Sequence, residues 1–184
     1  MALKATIFKA RVQVADMDRS VYGEHALTLA RHPSETDERM MVRLLAFALN
    51  VPGDDRDGAL EFGPGLSDAD APDLWQRDLT GAVHHWIEVG QPDERRLLRA
   101  AGRADRVTVL AYDRSAPIWW QGLGGRLARA ANVAVWRLPP EQSQALTGLA
   151  QRTMQLQATI QDGHVWLGDG QQAVELTPER LVPR

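Results

Sequence analysis

Cysteine is absent from the 184 residues. That excludes disulfide frameworks, thiolate zinc sites, thiol catalysis and iron–sulfur ligation, and it restricts any metal to oxygen and imidazole ligands. Lysine is nearly absent too. Lys4 and Lys9 are the only lysines among 21 basic residues, so 19 are arginine. The Met1-Ala-Leu-Lys4 start has no long apolar core of a secretion signal, and no run approaches the roughly 18 apolar residues of a membrane span. The expectation is a soluble, cytoplasmic protein without a membrane segment. Basic charge is not in excess: the net charge is -3, which argues against an obligate, strongly basic nucleic-acid binder. With 44% apolar and 24% charged residues, disordered and low-complexity classes are excluded, and the length suits a single domain over 1–184.

The charge is unevenly placed. Between Asp54 and Asp78 stand eight acids (Asp54, Asp55, Asp57, Glu61, Asp68, Asp70, Asp73 and Asp78) against Arg56 and Arg77. This segment nets -6 and the remainder of the chain +3. An acidic segment in a mildly basic body is what a metal site beside an anionic substrate needs. A solvated acidic loop rich in glycine and proline accounts for most of these carboxylates equally simply.

The periodicity predicts a long strand from Leu3 to Ala15, a turn at Asp16-Met-Asp18 and a returning strand over Glu24–Ala30. Ser34 is the expected N-cap of a helix with Asp37 as its capping partner, and Met40, Met41, Leu44, Leu45, Ala48 and Leu49 form its apolar stripe. A strand follows over Ala82–Val89, then a helix opened by Pro92-Asp93-Glu94 and stopped by Gly102, and a strand over Arg106–Tyr112. Trp119–Ala131 reads as a helix weakened by Gly122, Gly124 and Gly125, Val133–Leu138 as a strand, and Pro140 to about Ala150 as a helix. Three strands close the chain, Met154–Gln161, Val165–Gly168 and Ala173–Leu176, joined by turns at Asp162-Gly163 and Asp169-Gly170. The echo of Leu3-Lys-Ala-Thr-Ile7 in Leu156-Gln-Ala-Thr-Ile160 suggests that both ends contribute to one sheet.

The most informative segment is Val83-His-His-Trp-Ile-Glu-Val-Gly90. Alternation places His84, Trp86, Glu88 and Gly90 on one face, so His84 and His85 point apart and cannot share one metal. Glu88 ends an apolar strand followed by a turn and a helix, the edge at which α/β sites gather. If Asp73 begins a strand that pairs with this one, the two carboxylates converge, and a hard cation such as Mg²⁺ suits such oxygens. Asp70 and Asp78 are nearly equal candidates.

Pro72-Asp73, fourteen residues, then Glu88-Val-Gly90 resembles the PD-(D/E)XK signature of restriction-endonuclease-like nucleases. A longer likeness runs through Leu3–Ile7, Leu27–Thr36, Glu38–Met41, Trp86–Arg96 and Gln157–Gly163, and by these blocks the chain resembles the YaeQ family of bacterial proteins. The resemblance implies a mixed α/β (α+β) fold: a PD-(D/E)XK nuclease-like αβββαβ core over about 33–138, with additional antiparallel strands from the termini at about 3–31 and 153–177. It implies Asp73 and Glu88 as ligands of Mg²⁺ or Mn²⁺, with Glu38 a further acid from the first helix.

The signature lysine is replaced by Gly90. Gln91, Arg95 or Arg39 would have to stand in, and arginine, permanently protonated, cannot act as a base. The expectations are therefore a metal-dependent phosphodiesterase acting on nucleic acid, with Asp73, Glu88, Gln91 and Glu38 as its site, or a degenerate nuclease-fold module that binds nucleic acid or a protein partner. A purely structural role is the third. Arg95, Arg96, Arg99 and Arg103 on one helix are either solvated or contacts for phosphate, and Trp119-Trp120 either fill a core or stack bases. Gly122-Leu-Gly-Gly125 lacks the Gly-Lys-Ser/Thr continuation of a phosphate loop.

Overall fold

The computed structural model describes residues 4–65 and 68–182. Two long strands, β1 (Thr6–Asp16) and β2 (Val21–Arg31), form an antiparallel hairpin. On β1 the buried side chains are Phe8, Ala10, Val12, Val14 and Asp16, so one face is buried and the other is wet. Helix α1 (Asp37–Asn50) follows, capped by the Thr36 hydroxyl accepting from the Arg39 N–H at 3.1 Å. Ser34, the expected cap, lies outside the helix and bonds His32 instead. The expected stripe on α1 is in fact a fully buried cylinder: every residue from Met40 to Ala48 is enclosed, while Leu49 is half-buried. A helix buried all round belongs between two layers rather than on a surface.

Those layers are two mixed sheets. The second contains β3 (Leu60–Phe62), β4 (Leu74–Arg77), β5 (Val83–Val89), β6 (Ala104–Ala111), β7 (Val133–Arg137) and β11 (Glu179–Leu181), in the order β11-β7-β6-β5-β4-β3. Strands β5, β6 and β7 run parallel, and β3, β4 and β11 are antiparallel to their neighbours. The first sheet continues through β8 (Thr153–Gln161), β9 (His164–Gly168) and β10 (Ala173–Leu176), in the order β10-β9-β8-β1-β2. The terminal strands do share a sheet, but β1 and β8 meet in parallel, and only the hairpins within each end are antiparallel. Asp162 and Gly163, at φ 53 and 76, give the β8–β9 turn the left-handed pair that the Asp-Gly sequence announces.

One core joins Phe8, Val12 and Leu29 of the first sheet and Leu74, Ile87, Val89 and Leu110 of the second through Met41, Leu44 and Leu45 of α1. The other face of the second sheet is covered by α2 (Glu94–Arg103) and α3 (Ala116–Leu123), which pack Leu97, Ala100 and Leu123 on Trp86, Val107, Val109 and Val135. Helix α3 ends well before Ala131, and the chain continues in turns. Glycine explains the stop: it costs about 1 kcal/mol in a helix interior, and a Cβ on Gly124 would lie 2.9 Å from the Trp120 ring. Helix α4 (Pro140–Ala145) likewise gives way to a 3₁₀ turn over Leu146–Leu149. Among the described residues no helix is long and apolar enough to cross a membrane.

Because α1 has no exposed face to retreat to, its leucines cannot be truncated cheaply. Leu44→Ala should lower the free energy of unfolding by about 2–5 kcal/mol, read from urea denaturation followed by tryptophan fluorescence. A loss below about 1 kcal/mol would contradict the central position of the helix.

Candidate functional site

The site forms where the carboxyl end of β5 meets the start of β4 and the first turns of α1 and α2. Leu74 pairs with Ile87, which places Asp73 beside Glu88, and the Asp73 N–H donates to the Ile87 carbonyl at 3.1 Å. Both carboxylates are buried, Asp73 at 6% and Glu88 at 4% exposure. Each has its own guanidinium. Asp73 accepts from Arg39 Nη2 at 2.8 Å and from the backbone N–H of Val89 at 2.7 Å. Glu88 Oε1 accepts from Arg96 Nε at 2.6 Å and from Trp86 Nε1 at 2.9 Å. Arg96 is held from behind, donating to the carbonyl of Ala71 at 2.7 Å and to that of Ala69.

A third buried acid completes the cluster. Glu35 accepts from Arg43 through both oxygens, at 2.6 and 3.0 Å, and from Arg39 at 2.7 Å. Arg39 thus bridges Glu35 and Asp73 and also reaches the Val89 carbonyl at 3.3 Å. Burial works against the charge on Arg39, yet Asp73 and Glu35 outweigh it and raise its pKa. Burial pushes the Glu88 carboxyl above its ordinary value, the Trp86 hydrogen bond pulls it down, the Asp73 charge pushes it up, and Arg96 pulls it down again. Tyr112, at the end of β6, senses the same cluster: burial raises its phenol to about 12, with Glu38, Glu35 and Arg39 close enough to act on it.

Asp73 and Glu88 are therefore neighbours, as their spacing suggested, and the other two candidates face elsewhere. Glu38 accepts from the Ser143 hydroxyl of α4 at 2.9 Å. Gln91 donates to Ser115 Oγ at 2.8 Å and to the Tyr112 carbonyl, bracing the turn before α3. Asp70 is exposed and pairs with Arg99 at 3.2 Å. Asp78 sits at the far end of β4, binding Thr80 and His84, and these hydrogen bonds lower its pKa. His84 lies between Asp78 and Asp105, each at 2.8 Å. His85, on the opposite face, bonds Thr108 at 2.7 Å and accepts from Arg106, and burial drives its pKa down to about 3. Among the described residues no three His, Asp or Glu side chains gather in a form that would hold a metal ion. As placed, Asp73 and Glu88 are charge-matched by guanidinium groups and do not fit a divalent cation.

Four participants escaped the sequence reading: Arg96 and Trp86 as partners of Glu88, and Glu35 with Arg43. The signal for the last was present, since Glu35, Arg39 and Arg43 recur every fourth residue, although Glu35 itself precedes the Thr36 cap. Arg39, weighed as a stand-in for lysine, does lie at Asp73.

Fold and site together define a mixed α/β protein whose sheet edge carries buried carboxylates held by arginine. A family model described as YaeQ protein matches residues 1–178, and the chain belongs to the YaeQ family. The uncharacterized protein YaeQ of Salmonella typhi is 50% identical over 177 residues, 96% of this chain and 95% of that protein. The protein of the same name from Escherichia coli strain K12 is 48% identical over the same shares. The crystal structure of the YaeQ protein from Xanthomonas axonopodis pv. citri superposes with a TM-score of 0.91 at 46% identity, covering 98% of this chain and 99% of that one. The YaeQ structure from Pseudomonas syringae gives 0.88 at 36% identity, over 98% and 97%.

The Arg96–Glu88 pair makes an asymmetric prediction. Arg96→Ala leaves a buried carboxylate with one indole donor and should cost about 2–3 kcal/mol near neutral pH. Without Arg96 the folded-state pKa of Glu88 rises further above its unfolded value. The folded variant then binds more protons than the unfolded chain in that window, and the loss shrinks as pH falls. Glu88→Gln, which leaves Arg96 on its two carbonyls, should cost less. Urea denaturation across the acid range reads both, and a penalty for Arg96→Ala that is independent of pH would refute the assignment.

Proposed function

We propose that this chain is a nucleic-acid-binding module of nuclease-like architecture whose hydrolytic centre is closed by its own arginines. The observation that carries the reading is Arg96 itself. All three of its nitrogens are committed, to Glu88 and to the carbonyls of Ala69 and Ala71, and it lines a cleft of about 290 Å³ shared with Arg95, Arg99 and Arg103. These side chains fall within roughly 100° of the α2 circumference at 3.6 residues per turn. Arg95, Arg99 and Arg103 are exposed, and among the described residues Arg95 and Arg103 have no acidic partner. Arg95 and Arg103 are free guanidinium groups about two helical turns apart, and Arg99 between them is held only by the exposed Asp70, a set that suits a phosphate backbone.

The nuclease-like architecture is supported by chain order. After the first hairpin come α1, β3, β4, β5, α2 and β6, the αβββαβ succession, with Pro72-Asp73 leading into β4 and Glu88 near the end of β5. The loss of hydrolysis is supported at Gly90. Its φ of 104° lies where a lysine would be strained, so the missing base is built into the backbone as well as the side chain. A bacterial cytoplasm is the compartment this reading implies.

One observation favours a second reading, metal-dependent phosphodiester hydrolysis. Asp73 stands opposite Glu88 across the β4–β5 pairing, the positions that the resemblance gives to metal ligands, and Arg96 and Arg39 would have to leave them before a cation could enter. Mg²⁺ or Mn²⁺ held there by Asp73 and Glu88 would supply Lewis acidity and a more acidic bound water.

Fluorescence anisotropy with labelled single- and double-stranded oligonucleotides, in chelator, tests the first reading. Affinity should fall steeply with salt, and combined Arg95→Ala, Arg99→Ala and Arg103→Ala should reduce it by at least about tenfold and flatten the salt slope by about 2 to 3. Absence of binding at about 50 mM salt would overturn it, as would binding untouched by the triple variant, and would leave a protein partner. Substrates should stay intact with added Mg²⁺ or Mn²⁺. Cleavage that disappears in Glu88→Ala would put hydrolysis in its place.

A further inference from the structure

A cleft of about 500 Å³ lies away from Glu88, at the β7–β11 edge of the second sheet. Trp120 and Gln121 of α3, Gly125 in the turns that follow, Arg137 at the end of β7, and Arg180 and Leu181 of β11 line it. Volumes of this order hold small-molecule ligands.

Three features point to the ligand's chemistry. The first is Arg137. Its Nη1 donates to Glu179 at 3.0 Å, but its buried Nε meets no acceptor. A buried donor without a partner is costly. Only Nη1 has a partner among the described residues, and the Nε–Nη2 edge of a guanidinium is the fork that takes carboxylate or phosphate oxygens in pairs. Arg180 lines the cleft along its strand, while its guanidinium rests 5.6 Å from the Trp136 ring centroid on the other face of the sheet.

Trp120 is the second feature. It lines both this cleft and a smaller one of about 180 Å³. Trp119 is anchored by its N–H on the Pro92 carbonyl at 2.9 Å, whereas the Trp120 N–H has no acceptor among the described residues. Gly124 leaves room for the ring: a Cβ there would press on it at 2.9 to 3.0 Å. The third feature is Gln121, whose amide offers a donor and an acceptor beside the stacking surface.

From this juxtaposition of an aromatic side chain, an under-used arginine fork and an amide, we propose that the cleft binds a nucleoside monophosphate, its base against Trp120 and its phosphate on Arg137. The site is separate from the Asp73–Glu88 cluster and does not rest on the proposed function.

Isothermal titration of the full chain with AMP and GMP, beside adenosine and ribose 5-phosphate, tests this. Saturable binding of one nucleotide per chain is expected, at least about tenfold tighter than either fragment. Arg137→Gln and Trp120→Leu should each weaken it by about tenfold or more. Gly125→Leu guards against misfolding: Gly125 lines the cleft, has an ordinary φ and has nothing within 4 Å of a built Cβ, so a side chain added there starts in open space. It should abolish binding while circular dichroism stays unchanged. Glu88→Gln should leave binding intact. No saturable binding of either nucleotide, equal binding of ribose 5-phosphate, binding that survives Gly125→Leu, or binding lost in Glu88→Gln would each overturn the proposal.

Discussion

The carboxylate of Asp73 is the joint on which both layers of this molecule bear. One oxygen takes the Val89 N–H and the other takes Arg39 from α1. The start of β4, the end of β5 and the central helix are therefore fixed by one side chain. Three buried acids, Glu35, Asp73 and Glu88, face three guanidinium groups, Arg39, Arg43 and Arg96. The set balances in charge and is threaded by hydrogen bonds to main-chain carbonyls. Burying ions is tolerable under those conditions, and removal of any one member leaves an uncompensated charge. This is why α1 can be apolar on every side and still carry Arg43 into the core.

Much of this was legible in the sequence, and what was not has identifiable causes. Alternation marked β1, β5 and β8, and Asp162-Gly163 marked its hairpin, because those signals lie within a few residues of one another. Strands β3 and β11 have three residues each, too short to show a period, and exist because β4 and β7 offer edges to pair with. Ser34 and Thr36 are both good caps, and only the path of the chain out of β2 chooses Thr36. At the site, the spacing of Asp73 and Glu88 located the pair. It could not reveal Arg96, whose approach depends on where α2 lies against the sheet, nor turn Glu38 and Gln91 away toward Ser143 and Ser115. Those orientations are decided by packing between elements far apart in the chain.

The parallel strands β5, β6 and β7 deliver Glu88, Tyr112 and Arg137 to one edge of the sheet, the edge where side-chain chemistry of α/β layers collects. What distinguishes this edge is the use of arginine in every cationic role. Lysine, a compact charge whose pKa shifts with burial, is replaced throughout by a planar group that stays charged and binds oxygens in pairs. Such an edge is suited to holding anions in place and poorly suited to passing protons.

The parallel pairing of β1 with β8 also governs how the chain can be made. Lys9 lies opposite Thr153, so the first sheet joins segments about as distant in the sequence as the chain allows. During synthesis the β1–β2 hairpin is made with the β1 edge unpaired, and its neighbour β8 is translated only after α1, α2 and the whole second-sheet core from β3 to β7. Contacts of such long range slow folding. Until β8 arrives, that edge is a strand-shaped vacancy open to any extended peptide nearby.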